Sequence, residues 1–188
     1  MTLTNFNEET WKKRAEARRV KAQRAGRSPV KVESQWEDDV RFINALRVVV
    51  EWCEARSLTV EFRNQHGGVY YPAYGRITIS ERASPKLQLH YLLHECGHHL
   101  IGPKKKGERF GMGYGLEDDR LLRSPHHKLD VIEEEFEAWH RGWKLARKLK
   151  ILRDQDRIGY DDTRVKMLRT YIDWASRSWG SSQEPEIG

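Results

Sequence analysis

The chain has 188 residues, of which 38% are hydrophobic and 33% charged, and its formal net charge is +6. This length suits one compact domain with tails, and no apolar run is long enough to cross a membrane. The N-terminus lacks the apolar segment of a signal peptide. Two cysteines, Cys53 and Cys96, provide no disulfide framework. We therefore expect a protein of a reducing, cytoplasmic setting.

The positive charge is concentrated near the N-terminus. From Trp11 to Lys31 there are nine Lys or Arg residues against Glu16 alone, so this segment carries +8 and the remainder −2. Residues 1–33 are interpreted as a basic helical arm with the composition of a flexible segment. The alternative is a solvated helix that keeps the protein soluble. The candidates for contacts with nucleic acid or another acidic surface are Lys12, Lys13, Arg14, Arg18, Arg19, Lys21 and Arg24.

A helix and a small sheet are predicted next. Apolar residues at helical spacing predict a helix from about residue 35 to 55. Three strand-like segments follow at residues 58–62, 69–71 and 76–80, separated by glycine turns. They predict a small antiparallel sheet in which Pro72 indicates an edge strand. Such an edge can bind an extended peptide as an added strand.

Residues 84–102 carry the signals of one buried helix. Ser84 is a good N-cap, Pro85 suits the first turn, and Gly102 followed by Pro103 predicts the end. Leucines at helical spacing supply its apolar stripe.

This helix contains the pattern H-E-x-x-H, from His94 to His98. Histidines four residues apart lie on one face, so both imidazoles can bind one metal ion. Glu95 can take a proton from a metal-bound water. The pattern predicts one Zn²⁺ per chain. The alternative is a helix whose histidines are solvated or hydrogen-bonded, but a charged Glu95 between leucines argues against it.

A glycine-rich stretch, residues 107–115, follows this helix and is predicted to form a loop that borders the site. Several side chains in or after it are candidates for stabilising an oxyanion or contacting substrate, with ordinary loop or helix positions as the alternative. They are Tyr114, His126, His127 and His140.

The next predicted helix, residues 128–152, contains the candidates for a third ligand. Its apolar stripe is read as Ile132, Phe136, Trp139, Trp143, Ala146 and Leu149. At about 100° per residue, Glu135 falls on the buried face, whereas Glu134 and Glu137 fall on the far side. A buried carboxylate needs a counter-charge, so Glu135 is the predicted ligand and Glu133 the second choice. Glu137 is a solvated neighbour or the partner of a ligand, and a charged helix face remains the alternative.

The chain ends in a predicted helix, residues 161–178, and a flexible tail, residues 181–188. The domain predicted between the arm and the tail spans residues 34–180.

Over residues 58–150 the sequence resembles small intracellular zinc peptidases of the gluzincin type, which include the ImmA/IrrE family. The matching segments are His94-Glu95-Cys96-Gly97-His98 and Glu135-Phe136-Glu137-Ala138. The resemblance implies a zincin-like α+β fold, zinc at His94, His98 and Glu135, and Glu95 as general base. Peptidases of this kind also occur in phage genomes, which would imply the host cytoplasm.

The sequence thus predicts a zinc-dependent peptidase that hydrolyses peptide bonds in a protein substrate. One rival is a catalytically silent binding module of the same fold that acts on nucleic acid or a host protein through the basic arm. Another is an inhibitor that reuses the fold. Glu95 argues against a purely structural zinc site, which needs no general base.

Overall fold

The structure, a computed structural model, describes residues 8–109 and 124–176, with the backbone alone for residues 103–109. These ranges contain five helices and three strands, so the predicted α+β class is confirmed. The chain forms two compact units, Met1–Leu92 and Leu93–Gly188. The domain limits predicted at residues 34 and 180 remain predictions. None of the described helices has the length and apolarity that a membrane span requires.

In the first unit, helix α1 (Glu8–Arg24) packs on helix α2 (Pro29–Glu54). Trp11 of α1 is buried and meets the ring of Phe62 edge-on, with the centroids 5.4 Å apart. Arg18 reaches Asp39 of α2 at 3.1 Å. The described part of the predicted basic arm is therefore a helix that contributes a face to the core.

The sheet consists of β1 (Thr59–Arg63), β2 (Gly68–Tyr71) and β3 (Arg76–Ser80), in the order β1-β3-β2. The prediction of an antiparallel sheet is wrong for one pair: β1 and β3 are parallel, and only β2 and β3 are antiparallel. β3 takes the centre because residues 77–80 are all buried, as a strand covered on both faces must be. β2 is an edge strand, as Pro72 indicated.

A tight turn joins β2 to β3. A 3₁₀ turn, Pro72–Tyr74, ends at Gly75, whose φ of +56° lies in the left-handed region that glycine adopts without strain. This reversal allows β3 to pair back along β2.

Helix α3 (Pro85–Arg109) carries the H-E-x-x-H pattern. Ser84 caps it, because its Oγ accepts a hydrogen bond from the backbone N–H of Leu87 at 3.4 Å. The predicted end at Gly102 is a break in the helix, with φ +71° there, after which helical backbone resumes.

The second unit contains the later part of α3 together with α4 (Pro125–Lys148) and α5 (Arg157–Ser176). α4 begins at a cap in which Ser124 Oγ accepts from the backbone N–H of His127 at 3.0 Å. A 3₁₀ turn, Asp154–Asp156, leads into α5. Tyr160 of α5 is buried and donates a hydrogen bond to the backbone carbonyl of Trp139 at 2.9 Å, which ties α5 to α4.

Helices α3 and α4 touch through two glycines, one on each helix. A Cβ on Gly97 would lie 2.0 Å from the carbonyl oxygen of Ala138, and one on Gly142 would lie 2.5 Å from the carbonyl oxygen of Leu93. Neither distance leaves room for a methyl group. The two backbones therefore approach closely, and the side chains near this crossing meet.

The buried face of α4 differs from the predicted stripe. Phe136 is 51% exposed and lies under the guanidinium of Arg164 at 5.1 Å. The face that packs inward consists mostly of smaller residues: Val131, Ala138, Trp139, Gly142, Leu145 and Ala146. Trp139 and Ala146 of the predicted stripe are fully buried, but the inward face is rotated toward Ala138 and Gly142, because the close crossing with α3 requires small residues there.

Candidate metal site

The three residues predicted as metal ligands lie together in the second unit, and all are buried. The Nε2 atoms of His94 and His98 are 3.2 Å apart. Glu135 lies between the two rings, with Oε2 3.1 Å from His94 Nε2 and Oε1 3.3 Å from His98 Nε2. Two imidazole nitrogens and a carboxylate thus converge on one point.

The spacing of these atoms fits a small divalent cation. Ligand atoms about 2.0–2.1 Å from a tetrahedral zinc ion lie roughly 3.3 Å from one another. Within the described residues, Glu135 Oε2 is buried and makes no hydrogen bond, although His94 Nε2 is near it. Buried carboxylate oxygens are normally bonded to a donor or a metal. The group could therefore hold a metal ion.

Electrostatics also favour a cation here. Burial by itself would lower the pKa of His98, but the carboxylates of Glu135 and Glu134, with a smaller effect from Glu95, raise it to about 10. Burial by itself would raise the pKa of Glu135, yet the two imidazoles hold the pKa of this carboxyl well below its usual range. The group therefore attracts a positive charge, which is a proton when no metal is bound.

Glu134 lies where the sequence did not predict it. The prediction that it lies on the far side of the helix is wrong, because its side chain is 1% exposed and its Oε1 lies 3.1 Å from Nδ1 of His98. The imidazole of His98 thus lies between two carboxylates, with Glu134 at Nδ1 and Glu135 at Nε2. The true inward face of α4, centred on small residues, would have indicated this position.

His94 has a different environment. Its ring stacks on the indole of Trp139, with the centroids 4.4 Å apart and the planes at 23°. Trp139 is fully buried. In the described part of the chain, His94 Nδ1 is buried without a hydrogen-bond partner. His94 therefore has packing against Trp139 where His98 has a carboxylate at Nδ1.

Glu95, the predicted general base, is buried beside His94 on α3. Its carboxylate contributes to the raised pKa of His98, so its charge acts on the group. Cys96, next to it, is fully buried, as expected for a small core residue.

The other two glutamates of the acidic run lie away from this cluster. Glu133 is exposed. Glu137 accepts a hydrogen bond from Arg141 Nε at 2.8 Å, and Arg141 also donates to the carbonyl of Leu100 at 2.7 Å. Of the acidic run, the structure therefore brings Glu135 and Glu134 to the two histidines.

The candidate oxyanion or substrate residues are scattered. Tyr114 lies outside the described residues. His126 and His140 are exposed on α4, whereas His127 is buried and meets the ring of Trp174 edge-on at 6.2 Å. Their predicted role remains a prediction.

The basic residues of α1 are largely engaged with acidic ones. Arg18 pairs with Asp39 at 3.1 Å and Arg19 with Glu33 at 3.6 Å, both across to α2. Lys12 and Lys13 form ion pairs within α1, and Arg14 pairs with Glu81, which follows β3. Five of the seven residues proposed to contact phosphates are therefore paired: Lys12, Lys13, Arg14, Arg18 and Arg19. Lys21 and Arg24 are exposed.

No protein-family model, no curated protein and no solved structure matches this chain.

Proposed function

We propose that this protein is a zinc-dependent peptidase, with a zincin-like domain whose catalytic group is carried by α3 and α4. One observation supports this most strongly: His94, His98 and Glu135 form a buried group of two imidazoles and a carboxylate. Catalytic zinc sites typically have three protein ligands, of which two histidines and a glutamate are one common set, and keep one position open.

The residues of the site have distinct roles in this proposal. His94 and His98 hold the ion through Nε2, and Glu135 holds it through its carboxylate. When bound, zinc supplies Lewis acidity and lowers the pKa of a coordinated water to about 7.

Glu95 is the general base. It accepts a proton from the attacking water and returns it to the amine that leaves when the peptide bond breaks. Its buried position suits this role, because electrostatic interactions are stronger where water is excluded. A purely structural site would leave a buried carboxylate here without a function.

The oxyanion that forms on the substrate carbonyl needs a donor of its own. Tyr114, His126, His127 and His140 remain the candidates for this role. The substrate itself is proposed as a protein or peptide.

Glu95→Gln tests the mechanism. We expect the variant to keep about one zinc per chain and to lose about 10²- to 10⁴-fold in turnover of an unfolded fluorescent casein, because a neutral amide cannot accept the proton. Glu133→Gln is the matched control, since it makes the same change at an exposed position of α4. Wild-type turnover by Glu95→Gln would contradict the mechanism.

The rival binding module makes a different prediction from the same proteins. A catalytically silent zincin would bind zinc but show no turnover with any peptide library, and its contact surface would be the basic helix. The ion pairs of α1 with acidic residues weaken that alternative.

A further inference from the structure

We propose that Glu134 is a positioning residue that fixes the tautomer and orientation of His98, so that Nε2 is presented to the metal. This inference rests on the proposed metal site but not on peptidase activity. It assigns a function to the second member of the glutamate pair on α4.

The geometry defines the role. Glu134 Oε1 lies 3.1 Å from His98 Nδ1, while His98 Nε2 lies 3.2 Å from His94 Nε2 and 3.3 Å from Glu135 Oε1. A neutral imidazole carries its proton on one nitrogen only. A carboxylate at Nδ1 retains the proton there, which leaves the lone pair of Nε2 directed at the other two ligands.

The burial of Glu134 supports the same role. Its side chain is 1% exposed, and a carboxylate removed from water needs a charge-assisted hydrogen bond to compensate for its lost hydration. The Nδ1–H of His98 is such a donor. A glutamate at this position without a role at the site would be costly to bury.

The arrangement also explains why two adjacent glutamates can serve one site. Consecutive helical residues diverge by about 100°, so their side chains do not face each other. The ring of His98 bridges that divergence, because its two nitrogens lie at opposite edges and each meets one carboxylate. Glu135 contacts the metal-facing edge and Glu134 the opposite edge.

His94 provides the internal contrast. Its ring is fixed by stacking on Trp139, and among the described residues its Nδ1 has no hydrogen-bond partner. Removing the carboxylate of Glu134 should therefore loosen one ligand and leave the other in place.

The test compares Zn²⁺ and Co²⁺ affinities, measured by competition with a chromogenic chelator, for wild type and Glu134→Gln. Loss of a carboxylate behind a ligand histidine typically weakens metal binding by about 10- to 100-fold, and we expect a loss in that range. Glu137→Gln is the matched control, because it makes the same change three residues further along α4, in a residue paired with Arg141. Its affinity should equal that of wild type.

A second measurement reads the tautomer of His98 directly. NMR of ¹⁵N-histidine-labelled, zinc-loaded wild type should show His98 coordinated through Nε2, with a proton retained on Nδ1 and a far-downfield shift for that proton. In Glu134→Gln the same proton should move upfield and exchange faster with water, since an amide oxygen is a weaker acceptor than a carboxylate.

Each outcome separates the inference from the proposed function. Wild-type affinity in Glu134→Gln, or coordination of His98 through Nδ1, would overturn the role of Glu134 and leave the metal site intact. Failure of wild type to bind either metal would overturn the metal site, and the role of Glu134 with it.

Discussion

The charged side chains of the basic helix α1 are partly exposed, whereas those of the histidine–glutamate group of α3 and α4 are buried. Arg18 of α1 is 44% exposed where it meets Asp39, so water and salt screen the pair. His98 and Glu134 are 9% and 1% exposed where they meet. The contact distance is 3.1 Å in both pairs. The electrostatic interaction is therefore weak between Arg18 and Asp39 and strong between His98 and Glu134.

Burial, and not the number of charges, distinguishes the candidate metal site from the basic helix. The first unit contains the highest density of positive charge in the sequence, yet its pairs are partly exposed and contribute little individually. The second unit buries three glutamates and two histidines in one group. Such a group is costly unless each member is hydrogen-bonded or bound to a metal.

The largest effect on stability is expected from Trp139→Ala. This indole is fully buried, stacks on His94 and meets Tyr160 at a centroid distance of 5.3 Å. Its removal should lower the free energy of unfolding by about 3–5 kcal/mol and weaken metal binding, because the ring of His94 loses its support. Urea unfolding and zinc titration check both effects.

Trp139→Phe is the matched variant, since it keeps an aromatic face against His94. It should lose less stability and retain most of the metal affinity. Equal metal affinity in Trp139→Ala and wild type would show that packing does not orient His94.

The next effect is a pH dependence, first of the stability of the metal-free protein and then of metal binding. The pKa of His98 is raised from 6.5 to about 10 in the metal-free protein. Its contribution to stability is therefore complete below pH 6.5 and is lost as the pH rises through about 10. Glu135, whose pKa is lowered, adds stability above its ordinary pKa of 4.5, which is lost as the pH falls toward its folded pKa.

Zinc and a proton compete for His98. A rise in pH, which removes the stabilising proton from the metal-free protein, therefore favours the binding of zinc. Zinc affinity should rise by about tenfold per pH unit from mildly acidic to mildly alkaline conditions, as one proton is released. Calorimetry in buffers of different ionisation enthalpy counts that proton. A zinc affinity that does not depend on pH would show that the metal does not displace a proton from His98.

The smallest effect is expected in the basic helix. Arg18→Ala removes an ion pair whose arginine is 44% exposed, and Asp39 keeps a hydrogen bond from Gln35 at 3.2 Å. The free energy of unfolding should fall by less than about 1 kcal/mol, and zinc affinity should not change. A loss as large as that of Trp139→Ala would remove the contrast between the two regions. Thermal unfolding of Arg18→Ala and wild type in low and high salt measures the loss of stability.

Sequence periodicity predicted much of this architecture. The spacing of His94 and His98 places both on one helix face whatever surrounds them, and β3 was recognisable from the alternation of Ile77 and Ile79 with polar residues. The parallel pairing of β1 with β3 was not predictable from local signals, because it depends on which strand is buried on both faces.

The error on α4 has one physical cause. The inward face follows Ala138 and Gly142, whose small size permits the close crossing with α3, whereas the predicted stripe included Phe136 and Trp143. That rotation carried Glu134 to the wrong side. In α1, buried Trp11 and Ala15 lie four residues apart, a helical spacing that could have indicated a packed face despite the dense charge.

The most direct test of the account is the metal content of purified wild type beside His94→Ala and Glu135→Ala. We expect about one zinc per wild-type chain and loss of that zinc in both variants, each of which removes one of three converging ligands. A folded wild type that binds no zinc, or variants that retain it, would contradict the central claim.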